Sequence, residues 1–265
     1  MSPATPMSKW TLKERLAKKE LTVGSWLNFG SPLLAEMMAR AGFDWLVVDL
    51  EHGTAGLSDL VHMVQVIELA GVPPLVRVGA NDPRLIKQAM DAGACGVVVP
   101  MVSSVEEART AADALYYPPK GKRGVGLTRA HDFGMDFESY RKHAQEKSVL
   151  VVQIEHEKAV DALPAILDIA EVDAFIVGPY DLSGSLNKPG AFDDPDILAL
   201  MERISDVVRT HPKPGGYHVV HSDRAALKAR IDEGCRFLAY GTEMIFLAEK
   251  LRDERRFIDS LRGAL

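Results

Sequence analysis

The sequence predicts a (β/α)8 barrel, an α/β fold, from three observations. Eight short apolar segments alternate with helices whose starts and ends are marked by capping residues. The apolar segments are continuous rather than alternating, as in Val97-Val98-Val99 and Val149-Leu150-Val151-Val152, which suits parallel strands covered by helices. Eight strand–helix units in 265 residues come to about 33 residues each, close to the ~250 residues such a barrel takes.

In chain order the strands fall near Thr22–Leu27, Trp45–Asp49, Leu75–Val78, Gly96–Pro100, Val149–Ile154, Ala174–Val177, Gly216–Val220 and Arg236–Tyr240. Helix starts are set by Ser31-Pro32, Asp82-Pro83 and Asp194-Pro195, each a capping side chain followed by Pro at the first helical position. Ser104 and Glu107 have the spacing of a capping box. Helices end at Gly42, Gly71, Gly93 and Gly234, because Gly after the last helical residue takes the left-handed conformation that closes a helix. One excursion, residues 116–147, is far longer than the usual connection of about 2–6 residues, and such insertions tend to be lids or subunit contacts. The rival architecture, an open doubly wound sheet, wants Gly-x-Gly-x-x-Gly after the first strand; Trp26-Leu27-Asn28-Phe29-Gly30-Ser31 does not supply it. The chain therefore reads as one domain, 1–265, with residues 1–9 frayed.

With 47% hydrophobic and 26% charged residues, the composition excludes long disorder, collagen and coiled coil. Two cysteines, Cys95 and Cys235, sit in strand-like apolar segments and read as buried small hydrophobes rather than a disulfide or a metal pair. The formal charge of −6 lacks the clustered cations that a duplex nucleic acid requires. The one dense basic patch, Lys120, Lys122 and Arg123, suits a small anion. The longest apolar run, Cys95 to Val102, falls far short of the ~20 residues that span a bilayer, and MSPATPMSK has Pro and Ser where a signal peptide needs an apolar core. A soluble cytoplasmic protein is expected.

In such a barrel function sits where strands end. Those positions hold Asn28; Asp49, Glu51 and His52; Arg77; Glu155; Pro179 and Asp181; His218 and His221. Charged groups flanked by hydrophobes are costly unless paired or metal-bound, so a random solvated rim explains Asp49, Arg77 and Glu155 poorly. Glu155 and Asp181 come from adjacent strands, where two carboxylates repel unless a cation lies between them; hard oxygen ligands favour Mg²⁺ or Mn²⁺. The competing reading is that each merely caps its own helix or turn. Asp49 and His52, three apart across a strand-to-loop bend, allow the carboxylate to accept from one imidazole nitrogen and leave the other to move a proton. Arg77 suits a carboxylate or a developing enolate oxygen, with a salt bridge to Asp49, Asp91 or a rim acid as the alternative. Asp91 lies near a helix C-terminus, where an anion wants a cationic partner.

Taken together, Gly24-Ser25-Trp26, Asp49-Leu50-Glu51-His52-Gly53, Val76-Arg77-Val78, Ile86-Lys87-Gln88, Pro118-Pro119-Lys120-Gly121-Lys122-Arg123-Gly124, Gln153-Ile154-Glu155 and Gly178-Pro179-Tyr180-Asp181-Leu182-Ser183 resemble the metal-dependent 2-oxo acid aldolases of the HpcH/HpaI family. The resemblance covers about Gly24 to Leu251. It implies a barrel whose last helix is exchanged between subunits of a homohexamer, a trimer of dimers. It implies that Glu155 and Asp181 hold a divalent ion (Mg²⁺, Mn²⁺ or Co²⁺), that His52 with Asp49 is the acid–base dyad, and that Arg77 holds the 2-oxo group. It places Gln153 at the metal site, Tyr180, Asp181 and Trp26 against the substrate, and Asp91 among the catalytic acids. His156 and Glu157, Tyr180 and Glu243 depart from the family pattern. The implied activity is reversible aldol cleavage of 4-hydroxy-2-oxo acids to pyruvate or hydroxypyruvate and an aldehyde, both small molecules, without a Schiff-base lysine. The rivals are a malyl- or citramalyl-CoA-type lyase on the same barrel and a non-catalytic 2-oxo acid sensor.

Overall fold

A computed structural model describes residues 11–262; the stretch 1–9, expected to fray, lies outside the described residues. Eight parallel strands close in sequence order into one barrel: β1 Thr22–Leu27, β2 Leu46–Asp49, β3 Pro74–Arg77, β4 Gly96–Val99, β5 Val149–Ile154, β6 Ala174–Val177, β7 Gly215–Val219 and β8 Phe237–Thr242. The helices are α1 Leu12–Ala17, α2 Pro32–Arg40, α3 Leu57–Leu69, α4 Pro83–Asp91, α5 Val105–Leu115, α6 Phe137–Lys147, α7 Glu157–Leu167, α8 Pro179–Ser185, α9 Pro195–Thr210, α10 Arg224–Asp232 and α11 Glu243–Arg262. The sequence places every strand within about two residues; β8 is the most displaced, pairing with β1 through a bulge that sets Trp26 against Thr242.

The punctuation works as the residues dictate. Ser31, Asp82 and Asp194 accept hydrogen bonds from the backbone N–H groups of Leu34, Arg84 and Asp196. Ser104 accepts from the Glu107 N–H, but the returning bond to the Glu107 carboxylate comes from the Ser103 N–H, one residue before the cap. Gly42, Gly71, Gly93 and Gly234 all have φ between 80° and 104°, the left-handed closure expected of them.

Successive strand residues face opposite ways, so each strand feeds two cores. Outward side chains such as Leu46, Val48, Val76, Val97, Val152 and Phe175 join the helices. Inward ones, among them Trp45, Val47, Leu75, Val151, Ile176 and Phe237, fill the barrel together with Leu12 and Leu16. Those two α1 leucines close the end where the strands begin. Trp45 stacks on Phe237 with centroids 4.3 Å apart, and there is room for its ring because residue 24 is Gly: a Cβ there would lie 2.1 Å from the indole.

The excursion over residues 116–147 is no lid. It contains the 3₁₀ segment Arg129–Gly134 and α6, and it packs under the C-terminal ends of α3 and α4, at the opposite end from the strand C-termini. Arg129 bonds Glu68 and the Ala92 carbonyl, Thr128 the Asp91 carbonyl, and Tyr140 the Met90 carbonyl. None of the helices, over the described residues, is long and apolar enough to cross a membrane.

Candidate active site

The inward rows carry the site. Along β2 the series Trp45, Val47 ends on Asp49; along β3 Leu75 leads to Arg77; along β5 Val149 and Val151 lead to Gln153 and then Glu155. Thus the same alternation that fills the barrel with hydrophobes delivers polar groups at its C-terminal mouth. There a cavity of about 100 Å³ is lined by Trp26, Arg77, Gln153, Gly178, Pro179, Tyr180, Asp181 and His218, among others.

Asp49 and Arg77 are register partners on β2 and β3. The fully buried Asp49 takes Arg77 in a two-pronged pair, Nε to Oδ1 at 2.9 Å and Nη2 to Oδ2 at 2.6 Å, while Nη1 lies 3.0 Å from Glu51. Burial works against the Arg77 charge, but Asp49 and Glu51 hold its pKa above the ordinary value. Asp49 also accepts from the Asn28 amide and from the backbone N–H groups of Glu51 and His52. This corrects the expected dyad: the hydrogen bond from residue 52 comes from its backbone N–H, and the imidazole stands exposed at the mouth. With Arg77 taking both oxygens, the carboxylate is already saturated. Of the partners foreseen for Arg77, Asp49 and the rim acid Glu51 are the real ones.

Glu155 is buried. Its Oε2 accepts from the Met101 N–H and its Oε1 from the Gln153 amide. Neither Glu155 nor Asp181 is a helix cap: His156 caps α7 by accepting from Lys158, and Asp181 lies within the first turn of α8. Gly178 brings β6 against Glu155, since a Cβ there would sit 2.7 Å from Oε1. Burial first, then the negative charges of Glu51 and Asp181, push Glu155 up to about 7, against the Met101 N–H and Arg77. Glu51 is raised by its own burial and by Asp49 and Asp181, opposed by Arg77 and His52. Glu51, Glu155, Asp181, Arg77, Asp49 and His52 thus share one electrostatic neighbourhood.

A divalent ion is the group this donor set fits. Three carboxylates face one paired arginine, and the buried Gln153 Oε1 has no protein partner. Glu155 and Asp181, with the Gln153 oxygen beside them, are all hard oxygen donors. Among the described residues no three His, Cys, Asp or Glu side chains come together as a metal cluster, so the protein itself offers few ligands.

Three residues to which the sequence assigns no role, Glu243, His218 and Asn28, shape the mouth. Glu243, buried after β8, accepts from the backbone N–H groups of Asn28 and Phe29 at 2.6 Å each and so fixes the β1 loop. His218 stacks on Trp26, 4.8 Å between centroids and 22° between planes, and Arg77 lies 5.6 Å from the Trp26 ring centroid. Both Asn28 and His218 stand at strand ends, a position visible in the sequence; what they touch is not.

Asp91 does not join this site. It is the last residue of α4, toward the strand N-termini, and pairs at 2.5 Å with the fully buried Arg123 side chain. The basic patch also divides. Arg123 serves Asp91, Lys122 pairs with the carboxylate of Asp113, and Lys120 lies 3.6 Å from the Tyr116 ring centroid. No joint anion site of these three forms.

Comparison with known proteins gives a consistent result. The family model described as HpcH/HpaI aldolase/citrate lyase matches residues 22–249. A hydroxypyruvate/pyruvate aldolase of Roseovarius nubinhibens is 36% identical over 244 residues, 91% of this chain and 94% of that protein. A 2-keto-3-deoxy-L-rhamnonate aldolase of Escherichia coli K12 is 35% identical over 245 residues, 92% of this chain and 90% of that one. Among solved structures, an HpcH/HpaI aldolase/citrate lyase family protein of Burkholderia cenocepacia J2315 superposes with a TM-score of 0.87 at 32% identity, covering 95% of this chain and 99% of its own. An HpcH/HpaI aldolase of Desulfitobacterium hafniense DCB-2 follows at 0.85 and 30%, covering 93% and 96%.

Proposed function

The chain belongs to the HpcH/HpaI aldolase/citrate lyase family, and from that premise we propose that it is a class II aldolase, a carbon–carbon lyase. It reversibly joins pyruvate or hydroxypyruvate to an aldehyde, with a divalent ion (Mg²⁺, Mn²⁺ or Co²⁺) held by Glu155 and Asp181. The observation that carries this reading is the raised, buried Glu155 beside Asp181 and an unpartnered Gln153 oxygen, opposite an anchored arginine. The two relatives named above as aldolases cover nearly the whole chain and support the same chemistry.

When bound, the ion polarises the 2-oxo group and makes the C3 proton easier to remove. Arg77 spends two of its five N–H donors on Asp49 and lies 3.0 Å from Glu51 through Nη1, and the N–H groups that remain hold the oxo oxygen as it gains enolate charge. Asp49 and Trp26 keep that guanidinium oriented. The exposed imidazole of His52, its backbone pinned by Asp49, moves the C3 proton. Tyr180 and Trp26 wall the space into which the aldehyde enters.

The test is methyl-proton exchange of pyruvate in deuterium oxide, followed by NMR. Exchange that EDTA abolishes and Mg²⁺, Mn²⁺ or Co²⁺ restores is the expected result. Exchange undiminished in excess EDTA removes the ion from the scheme, and pyruvate binding without exchange leaves a sensor instead.

The assembly we propose is a cytoplasmic homohexamer, a trimer of dimers, with α11 exchanged between subunits. Of the 20 residues of α11 only Glu243 is buried, whereas Met244, Leu247, Leu251, Phe257, Ile258 and Leu261 are exposed at helical spacing. Sedimentation of the full chain against a chain ending at residue 249 checks it: the shorter chain is expected to lose the hexamer.

A further inference from the structure

His218 is a half-buried imidazole on the wall of the mouth cavity, and the reaction outlined above gives it no task. Its Nε2 lies 3.2 Å from the Gly241 carbonyl oxygen. A carbonyl only accepts, so Nε2 carries a proton and donates it. Burial, opposed by that bond and reinforced by the Arg77 charge, holds the imidazole down at about 4, so at neutral pH it carries no second proton. Nδ1 is therefore a lone-pair acceptor. Among the described residues it has no hydrogen-bond partner, and it is not one of the atoms sealed away from solvent. The stack on Trp26 fixes the plane of the ring, and with it the direction of the lone pair.

No N–H group that shares the cavity is bonded to Nδ1, and the Trp26 Nε1 is itself buried without a partner. The Gln153 amide donates to Glu155, and Arg77 is turned to Asp49 and Glu51. A carboxylate or an oxo oxygen has no proton to give, so the group that complements Nδ1 on a small 2-oxo acid or aldehyde is a hydroxyl.

We infer that His218 is a specificity residue: its Nδ1 accepts a hydrogen bond from a substrate hydroxyl next to the bond being made, and so favours hydroxylated substrates over their deoxy counterparts. This rests on the aldolase reading. The hydroxyl belongs either to the aldehyde, as in glycolaldehyde, or to the donor, as in hydroxypyruvate, and the two sources are separable.

The experiment uses the full-length enzyme with His218→Phe, which keeps a ring on Trp26 but no acceptor, and His218→Gln, which restores an acceptor oxygen. Values of kcat/KM are compared for glycolaldehyde against acetaldehyde with pyruvate, and for hydroxypyruvate against pyruvate as donor. In His218→Phe one hydroxylated substrate is expected to lose about tenfold while its deoxy counterpart and pyruvate exchange change by less than about threefold, with partial recovery in His218→Gln. A loss confined to glycolaldehyde places the hydroxyl on the aldehyde; a loss confined to hydroxypyruvate places it on the donor. Equal changes within both pairs overturn the inference while the aldolase reading stands. Absence of pyruvate exchange in the unaltered enzyme overturns both. His218→Leu, judged by the same ratios, decides the matter if the Phe variant does not fold.

Discussion

The two ends of the barrel hold nearly the same set of side chains and use them in opposite ways. At the mouth, Arg77 pairs with Asp49 beside His218, Trp26 and a surplus of acids. At the far end, Arg123 pairs with Asp91 beside His131, Tyr117 and Tyr140. The far cluster is largely paired, with the buried Arg123 Nε left over. His131 accepts from the Thr128 N–H at Nδ1 and meets the Tyr117 hydroxyl at Nε2, and Tyr140 receives a bond from Arg123 and donates to the Met90 carbonyl. At the mouth, His218 keeps one ring nitrogen free, Gln153 Oε1 is unpartnered and Glu155 is pushed toward neutrality. A buried ion pair with aromatic walls is therefore not by itself a sign of a site. Unspent acceptors and an uncompensated excess of acid are better signs, because a cation and a substrate can supply what is missing.

Changes at each end sharpen or break that contrast. The largest effect is expected for Glu155→Gln, which should lower pyruvate exchange by about a thousandfold, roughly 4 kcal/mol, with the melting temperature unchanged or raised. At the far end, Arg123→Met strands Asp91 and should cost about 3–5 kcal/mol in urea unfolding. Asp91→Asn is the sharper probe of the comparison. Exchange per folded subunit should change by less than about threefold, and a loss as large as that of Glu155→Gln would put Asp91 into a neighbouring subunit's site.

The pH dependence of stability gives a smaller difference. His218 titrates near 6.5 when unfolded and at about 4 when folded, so the unfolded chain binds its proton first as pH falls. Stability is lost between those values, by about 3 kcal/mol at most, and His218→Phe should remove that part of the pH slope. Glu155, raised by burial, runs the other way, so the difference between the two proteins is the quantity to measure. The smallest effect is expected for Lys122→Ala. Its pair with Asp113 is solvent-exposed and should contribute less than about 0.5 kcal/mol.

Much of the site was legible in advance, because a barrel puts its chemistry at strand ends and the strands were legible from their continuous apolar runs. Asp49, Arg77, Gln153, Glu155, Asp181, Trp26 and Tyr180 all lie at the mouth as expected. What failed was pairing. Asp49 was matched to the His52 imidazole because they are close in sequence, yet Arg77, 28 residues on, is its register partner. Asp91, which the resemblance sets among the catalytic acids, ends a helix that within this chain points away from the mouth.

The sequence by itself determined the periodic features: eight parallel strands, their caps and closing glycines, and the inward rows that end on charged residues. These follow from local conformational preference and from the alternation of side chains along a strand, both written into neighbouring residues. Only the tertiary structure decided who bonds to whom: Arg77 with Asp49, Arg123 with Asp91, His218 on Trp26, Glu243 beneath the β1 loop. Those choices depend on strand register and on distances between segments far apart in the chain, and a buried charge takes whichever partner the closed barrel brings within reach.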